Sequence, residues 1–108
     1  TNYITSLFKS GQQPGVFVNG ALSANLTPGT QIANTFGKLA WSQNGTVFTA
    51  CLNGGTPVTA TSTAVIPTMD TLYIGSFGTS TYALNGHIRK LSYYPVALSS
   101  SNIVALTS

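Results

Sequence analysis

The acid–base inventory of this 108-residue chain is small: one aspartate (Asp70), one histidine (His87), one cysteine (Cys51) and no glutamate. Glycoside hydrolysis on the usual plan needs two carboxylates flanking the scissile bond, and a single aspartate cannot fill both roles. A Ser-His-Asp triad is available by residue type from Asp70, His87 and the many serines. No Gly-x-Ser-x-Gly elbow accompanies it, and a triad is defined by geometry rather than by inventory. Asp70 sits in Pro67-Thr68-Met69-Asp70-Thr71, where its ordinary task is a turn or strand-entry hydrogen bond. His87 follows Asn85-Gly86 and reads as a solvent-facing imidazole. The expectation is a chain that is not an enzyme and has no catalytic residue.

Metal chemistry is constrained in the same way. One His and one Cys cannot make a four-ligand zinc site within one chain, and calcium favours several carboxylates where only Asp70 exists. Gly75-Ser76-Phe77-Gly78 lacks the lysine and following helix of a phosphate loop and reads as a turn. Neither a metal nor a cofactor is expected. Cys51 lies inside Val47-Phe48-Thr49-Ala50-Cys51-Leu52, so it reads as a small buried or half-buried strand residue, with no second cysteine to close a disulfide.

What remains is binding. The four cations Lys9, Lys38, Arg89 and Lys90 against one acid give a formal charge of +3. Only Arg89 and Lys90 are adjacent, which falls short of the basic stripe that nucleic-acid binding uses, so no nucleic-acid partner is expected. No apolar run approaches the ~18 residues of a membrane span, so no membrane partner is expected either. Tyr73, Tyr82 and Tyr94 read as exposed, by alternation or by loop position. Exposed tyrosine beside Asn, Ser and Thr suits sugar recognition, where a flat apolar ring stacks and short polar groups hydrogen-bond. The candidate binding residues are Tyr82, His87, Arg89 and Tyr94. The alternative for each tyrosine is plain β-propensity or burial in a subunit contact.

Turn signals define the elements that must hold these residues. Four Asn-Gly pairs occur, at 19–20, 44–45, 53–54 and 85–86, and each suits a type I′ hairpin turn, whose two central residues need positive φ. The strands between them are expected near 2–8, 15–19, 21–26, 31–42, 46–52, 56–61, 70–76 and 82–94. Phe48, Ala50 and Leu52 alternate with Val47, Thr49 and Cys51, the pattern of a strand with one buried face. Leu39 and Trp41 share a face and are assigned to the core, with Phe8, Phe17, Phe36, Phe48 and Tyr93. Ile88 and Leu91 are three apart, so a β-bulge at Arg89-Lys90 would return both to the core; alternatively Leu91 faces the other way. Beyond Pro95, Ser99 is placed to cap a short helix whose Ile103 and Leu106 share a face. These elements make one all-β, antiparallel, two-layer domain over residues 1–108 with a C-terminal helical turn. Charged residues are 5% of the chain, against about a quarter in ordinary domains, so Ser, Thr, Asn, Gln and Gly must cover its surface.

The order Leu72-Tyr73-Ile74-Gly75, Leu84-Asn85-Gly86-His87-Ile88-Arg89, Tyr93-Tyr94-Pro95, Leu98-Ser99 and Ala105-Leu106-Thr107 resembles the closing segment of concanavalin A-like (laminin G-like) jelly-roll domains. The form with basic residues after the isoleucine, two aromatics and a proline is most similar to domains on tailed-bacteriophage structural proteins. The resemblance implies an antiparallel jelly-roll sandwich, lectin-like and without enzymatic activity, used on a virion surface for adhesion, decoration or assembly. Many relatives bind calcium in a rim loop, and the single carboxylate here departs from that pattern. Complete domains of this kind carry additional N-terminal strands, so the chain is expected to be the C-terminal part of a longer polypeptide or fold. Implied partners are a cell-surface glycan or another virion protein. A homo-oligomer, trimeric or larger, would cover the open β-edge expected at residues 88–94. The competing reading is a free-standing lectin-like carbohydrate-binding protein, which the flanking sequence would distinguish.

Overall fold

The computed structural model describes residues 4–9, 13–18, 25–32, 34–61, 74 and 86–108. Over these residues the chain is mostly antiparallel sheet with one short C-terminal helix. Strands β1 (Ile4–Lys9), β2 (Gln13–Val18) and β3 (Asn25–Leu26) form one sheet in that order, with β1 and β2 in register from Ile4↔Val18 to Lys9↔Gln13. Strands β4 (Leu39–Asn44), β5 (Val47–Leu52) and β6 (Val58–Thr61) form a second, also antiparallel and in sequence order. β3 comes close to β6 and β2 to β5, which is where the two sheets meet.

Period-two alternation explains the second sheet. The pairs Leu39↔Leu52, Trp41↔Ala50, Phe48↔Ala60 and Ala50↔Val58 put the apolar residues of three strands on one face. Phe48 and Ala50 are fully buried there, and Leu52 nearly so. The opposite face carries Ser42, Thr49, Thr59 and Thr61 together with Ala40, Val47 and the fully buried Cys51, and the Thr49 and Thr59 hydroxyls stand 3.4 Å apart across the strands. Trp41 lies on the apolar face with its ring 6.2 Å from that of Phe48, yet it is 37% exposed and Leu39 is only half-buried. Their assignment to the full core is corrected by topology, because among the described residues β4 is an edge strand of its sheet.

Two of the Asn-Gly signals fall on described residues, and they behave differently. Asn53 and Gly54 both have positive φ (51° and 69°) and Gly55 N–H donates to Leu52 O at 2.9 Å, the I′ turn expected of that pair. At the other, Asn44 pairs with Val47, so the two-residue loop is Gly45-Thr46 and only Gly45 has positive φ. The turn is displaced by one residue because glycine supplies the positive φ at the first central position.

The helix α1 (Ser100–Thr107) forms where its cap requires. Ser99 is extended (φ −67°, ψ 161°), its Oγ accepts from Asn102 N–H at 3.2 Å, and its carbonyl accepts from Ile103 N–H. The helix packs on β4 and β5. Its buried residues are Ile103 and Thr107, one turn apart, whereas Leu106 is exposed. The expected Ile103–Leu106 face is therefore rotated, and a polar contact is the reason. Thr107 Oγ1 accepts from Gly54 N–H at 3.0 Å and lies 3.3 Å from Cys51 Sγ, with Ile103 O at 2.9 Å as a second partner. Cys51, fully buried as expected, directs its thiol toward Gly55 O at 3.3 Å.

Two expected strands are corrected. Residues 31–32 and 34–38, assigned to the start of a 31–42 strand, are irregular, and the strand begins at Leu39. The Gln31 side chain hydrogen-bonds to main chain here and Asn34 has φ 61°, so local side-chain bonding displaces the ladder. Residues 87–94, assigned to a final 82–94 strand, form no ladder either. Their β-branched and aromatic residues carry a propensity that is realised only against a partner strand, and among the described residues none pairs with them. The bulge at Arg89-Lys90 and the open β-edge at 88–94 fall with that strand. Ile74 lies at a bend and is exposed; the rest of the 70–76 strand, like the turns at 19–20 and 85–86, lies wholly or partly outside the described residues.

Candidate functional site

Two irregular segments meet to form the site, and the first is held by a glutamine. Gln31 is buried, and its Nε2 donates to Thr35 O at 3.0 Å, Thr35 Oγ1 at 2.9 Å and Ile32 O at 3.2 Å. Its Oε1 accepts from Asn53 Nδ2 at 3.2 Å, which ties the loop to the β5–β6 turn. Asn53 in turn accepts from Lys38 N–H through Oδ1 at 2.8 Å and donates its own N–H to Lys38 O at 2.9 Å. Gly37 lets the glutamine sit there, because a Cβ on residue 37 would overlap Gln31 Oε1. Lys38 Nζ donates to Ser108 O at 2.6 Å, joining the same loop to the end of α1.

A loop pinned at Gln31, Asn53 and Lys38 turns Phe36 outward, where the ring is 60% exposed. Its assignment to the core is corrected: Asn34 and Gly37 on either side make this a turn, which presents the ring instead of burying it. The second segment then brings Arg89 onto Phe36, with the guanidinium carbon 3.8 Å from the ring centroid. Such a stack is worth about 0.5–1 kcal/mol at an exposed site.

His87, Arg89 and Tyr94 all lie on the exposed segment 86–94, so three of the four candidate residues fall on one stretch. Tyr82 lies outside the described residues. Tyr73, Phe8 and Phe17 likewise have no described side chain. Tyr93, assigned to the core, is 86% exposed, and Ile88 and Leu91 are exposed with it, because the strand that would have buried them does not form. Phe36 and Tyr93 are the exposed aromatic residues of these segments that pattern reading missed. The flanking turn residues of Phe36 were its available signal; Tyr93 had none, since alternation within Leu91-Ser92-Tyr93 is the same for a buried strand.

Chemically the surface offers an aromatic platform, a planar cation, an adjacent ammonium at Lys90 and hydroxyl-bearing rings. Among the described residues no group of three or more His, Cys, Asp or Glu side chains comes together to hold a metal, and no helix is long and apolar enough to cross a membrane. Asp70 lies outside the described residues. Comparison with protein-family models, with curated proteins and with solved structures returned no match.

Proposed function

We propose that the chain is a non-enzymatic recognition module of the concanavalin A-like, jelly-roll type. It serves adhesion, decoration or assembly on the surface of a tailed-phage virion and binds cell-surface glycan or a neighbouring virion protein. The observation that carries the binding part is the exposed aromatic and cationic surface, with Arg89 laid over Phe36 and with Tyr93 and Tyr94 presented on the same segment as Arg89. The virion assignment rests on the sequence resemblance over residues 70–107. A homo-oligomer, trimeric or larger, fits the exposed Leu91, Val96 and Leu106, which subunit contact would cover. Stacking and a few hydrogen bonds at one small site give affinities on the order of millimolar to micromolar, so multivalent display supplies the working strength.

An antibody raised against the chain should label intact particles made by the genome that encodes it. The purified chain should bind host-envelope polysaccharide or those particles, and more weakly after Tyr82→Ala or Tyr94→Ala. Unlabelled particles would contradict the virion assignment. Failure to bind either polysaccharide or particles would contradict the recognition role.

A further inference from the structure

We infer that the Phe36–Arg89 pair is the anion-receiving part of the surface and that its ligand is a carboxylate-bearing polysaccharide, an inference that rests on the glycan-recognition reading above. The guanidinium lies over the Phe36 ring at 3.8 Å. A guanidinium stacked by its face keeps its N–H donors in its own plane, and that plane is where a carboxylate accepts two parallel hydrogen bonds. Stacking also restricts the arginine before any ligand arrives, which lowers the side-chain entropy lost on binding. The platform is itself held, because buried Gln31 bonds across the loop that carries Phe36 and ties it to Asn53.

Charge counting points the same way. The chain holds four Lys and Arg against one acidic residue, so carboxylate side chains are outnumbered by cations. Lys38 is engaged with the Ser108 main-chain oxygen, whereas Arg89 and Lys90 are adjacent and exposed. An acidic sugar supplies both a carboxylate and an apolar ring face for a tyrosine. Nucleic acid fits less well, because backbone binding uses a basic patch or stripe and this surface has only two adjacent cations, Arg89 and Lys90.

The test uses the full chain immobilised on a sensor at a density that permits multivalent capture. The probes are polygalacturonate (carboxylate), dextran (neutral), dextran sulfate (the same neutral chain with sulfates) and single-stranded DNA. Thermal melting establishes that each variant is folded. Polygalacturonate should bind about tenfold or more tighter than dextran at low salt, and the gap should close as salt rises. Arg89→Lys, which keeps the charge and loses the planar fork, should weaken polygalacturonate binding by about five- to tenfold. Phe36→Leu should weaken it about threefold through loss of the stack.

If polygalacturonate and dextran bind equally and Arg89→Gln changes nothing, the inference is overturned while sugar recognition stands. If dextran sulfate and DNA bind as tightly as polygalacturonate and Arg89→Lys is silent, the surface is a generic cation patch and the inference is likewise overturned. If no polysaccharide binds, both the inference and the glycan reading fail.

Discussion

Replacing Thr107 with valine tests how the helix is joined to the sheet. Valine keeps the size and the buried methyl but removes the hydroxyl, which accepts from Gly54 N–H at 3.0 Å and reaches Ile103 O at 2.9 Å and Cys51 Sγ at 3.3 Å. Ile103 O already lies where the helical hydrogen bond from residue 107 falls, so the decisive loss is at Gly54. Its N–H faces the helix and would have no acceptor. Thr107 is only 3% exposed, so little water can replace the hydroxyl. Gly54 is half-buried, so losing the acceptor of its N–H costs the low end of the range for an unsatisfied donor, about 1 kcal/mol. With about 4–8 °C per kcal/mol for a domain near this size, the melting temperature should fall by roughly 4–8 °C. Differential scanning calorimetry on wild type, Thr107→Val and Thr107→Ser measures it. Thr107→Ser keeps the hydroxyl and loses one methyl, so it should fall less than Thr107→Val. A serine variant less stable than the valine variant, or a valine variant melting within a degree or two of wild type, would refute the hydrogen-bond argument and assign the helix docking to apolar packing alone.

Other substitutions probe the remaining supports of the fold and its chemistry. Ser99→Ala removes the cap that accepts from Asn102 N–H and should cost about 1 kcal/mol by denaturant unfolding. Phe48→Ala empties the largest fully buried side chain and should cost about 3–5 kcal/mol, a large share of a typical domain's stability, seen as a lowered urea midpoint. Gly54→Ala sets a Cβ at φ 69° and 2.9 Å from Ser108 Oγ, so it should destabilise by about 1 kcal/mol or more in the same assay. The purified chain should release no reducing ends from polysaccharide. Sustained turnover that is lost in Asp70→Ala or His87→Ala with the fold intact would contradict the non-enzymatic reading.

Local signals in the sequence were legible where local chemistry decides the outcome. Asn53-Gly54 needs only its own two positive φ values, and Ser99 needs only the orphan N–H groups of the helix it starts. Phe48 and Ala50 sit on a strand paired on both sides, so alternation and burial coincide from Val47 to Ala50, whereas Cys51 on the other face is buried as well. Trp41 shows where they part: its face was read correctly, but its position on an edge strand was not a property of the pattern. Long-range partnership is what the sequence withheld. Ile88, Leu91 and Tyr93 alternate like strand residues, yet the ladder that would bury them depends on another segment. The candidate site inherits this division. His87, Arg89 and Tyr94 were legible as residue types on one stretch, whereas Phe36 beneath Arg89 depends on a contact across 53 positions of sequence and a loop held by Gln31.

The most direct measurement of the central claim, recognition through the Phe36–Arg89 surface, is amide hydrogen exchange of the full chain with and without bound host-envelope polysaccharide. Bound polysaccharide should slow exchange at residues 34–38 and 86–94 while leaving the Thr49–Thr59 face of the second sheet unchanged. Slowing confined to that threonine face, or binding that leaves both irregular segments exchanging as in the free chain, would contradict the account.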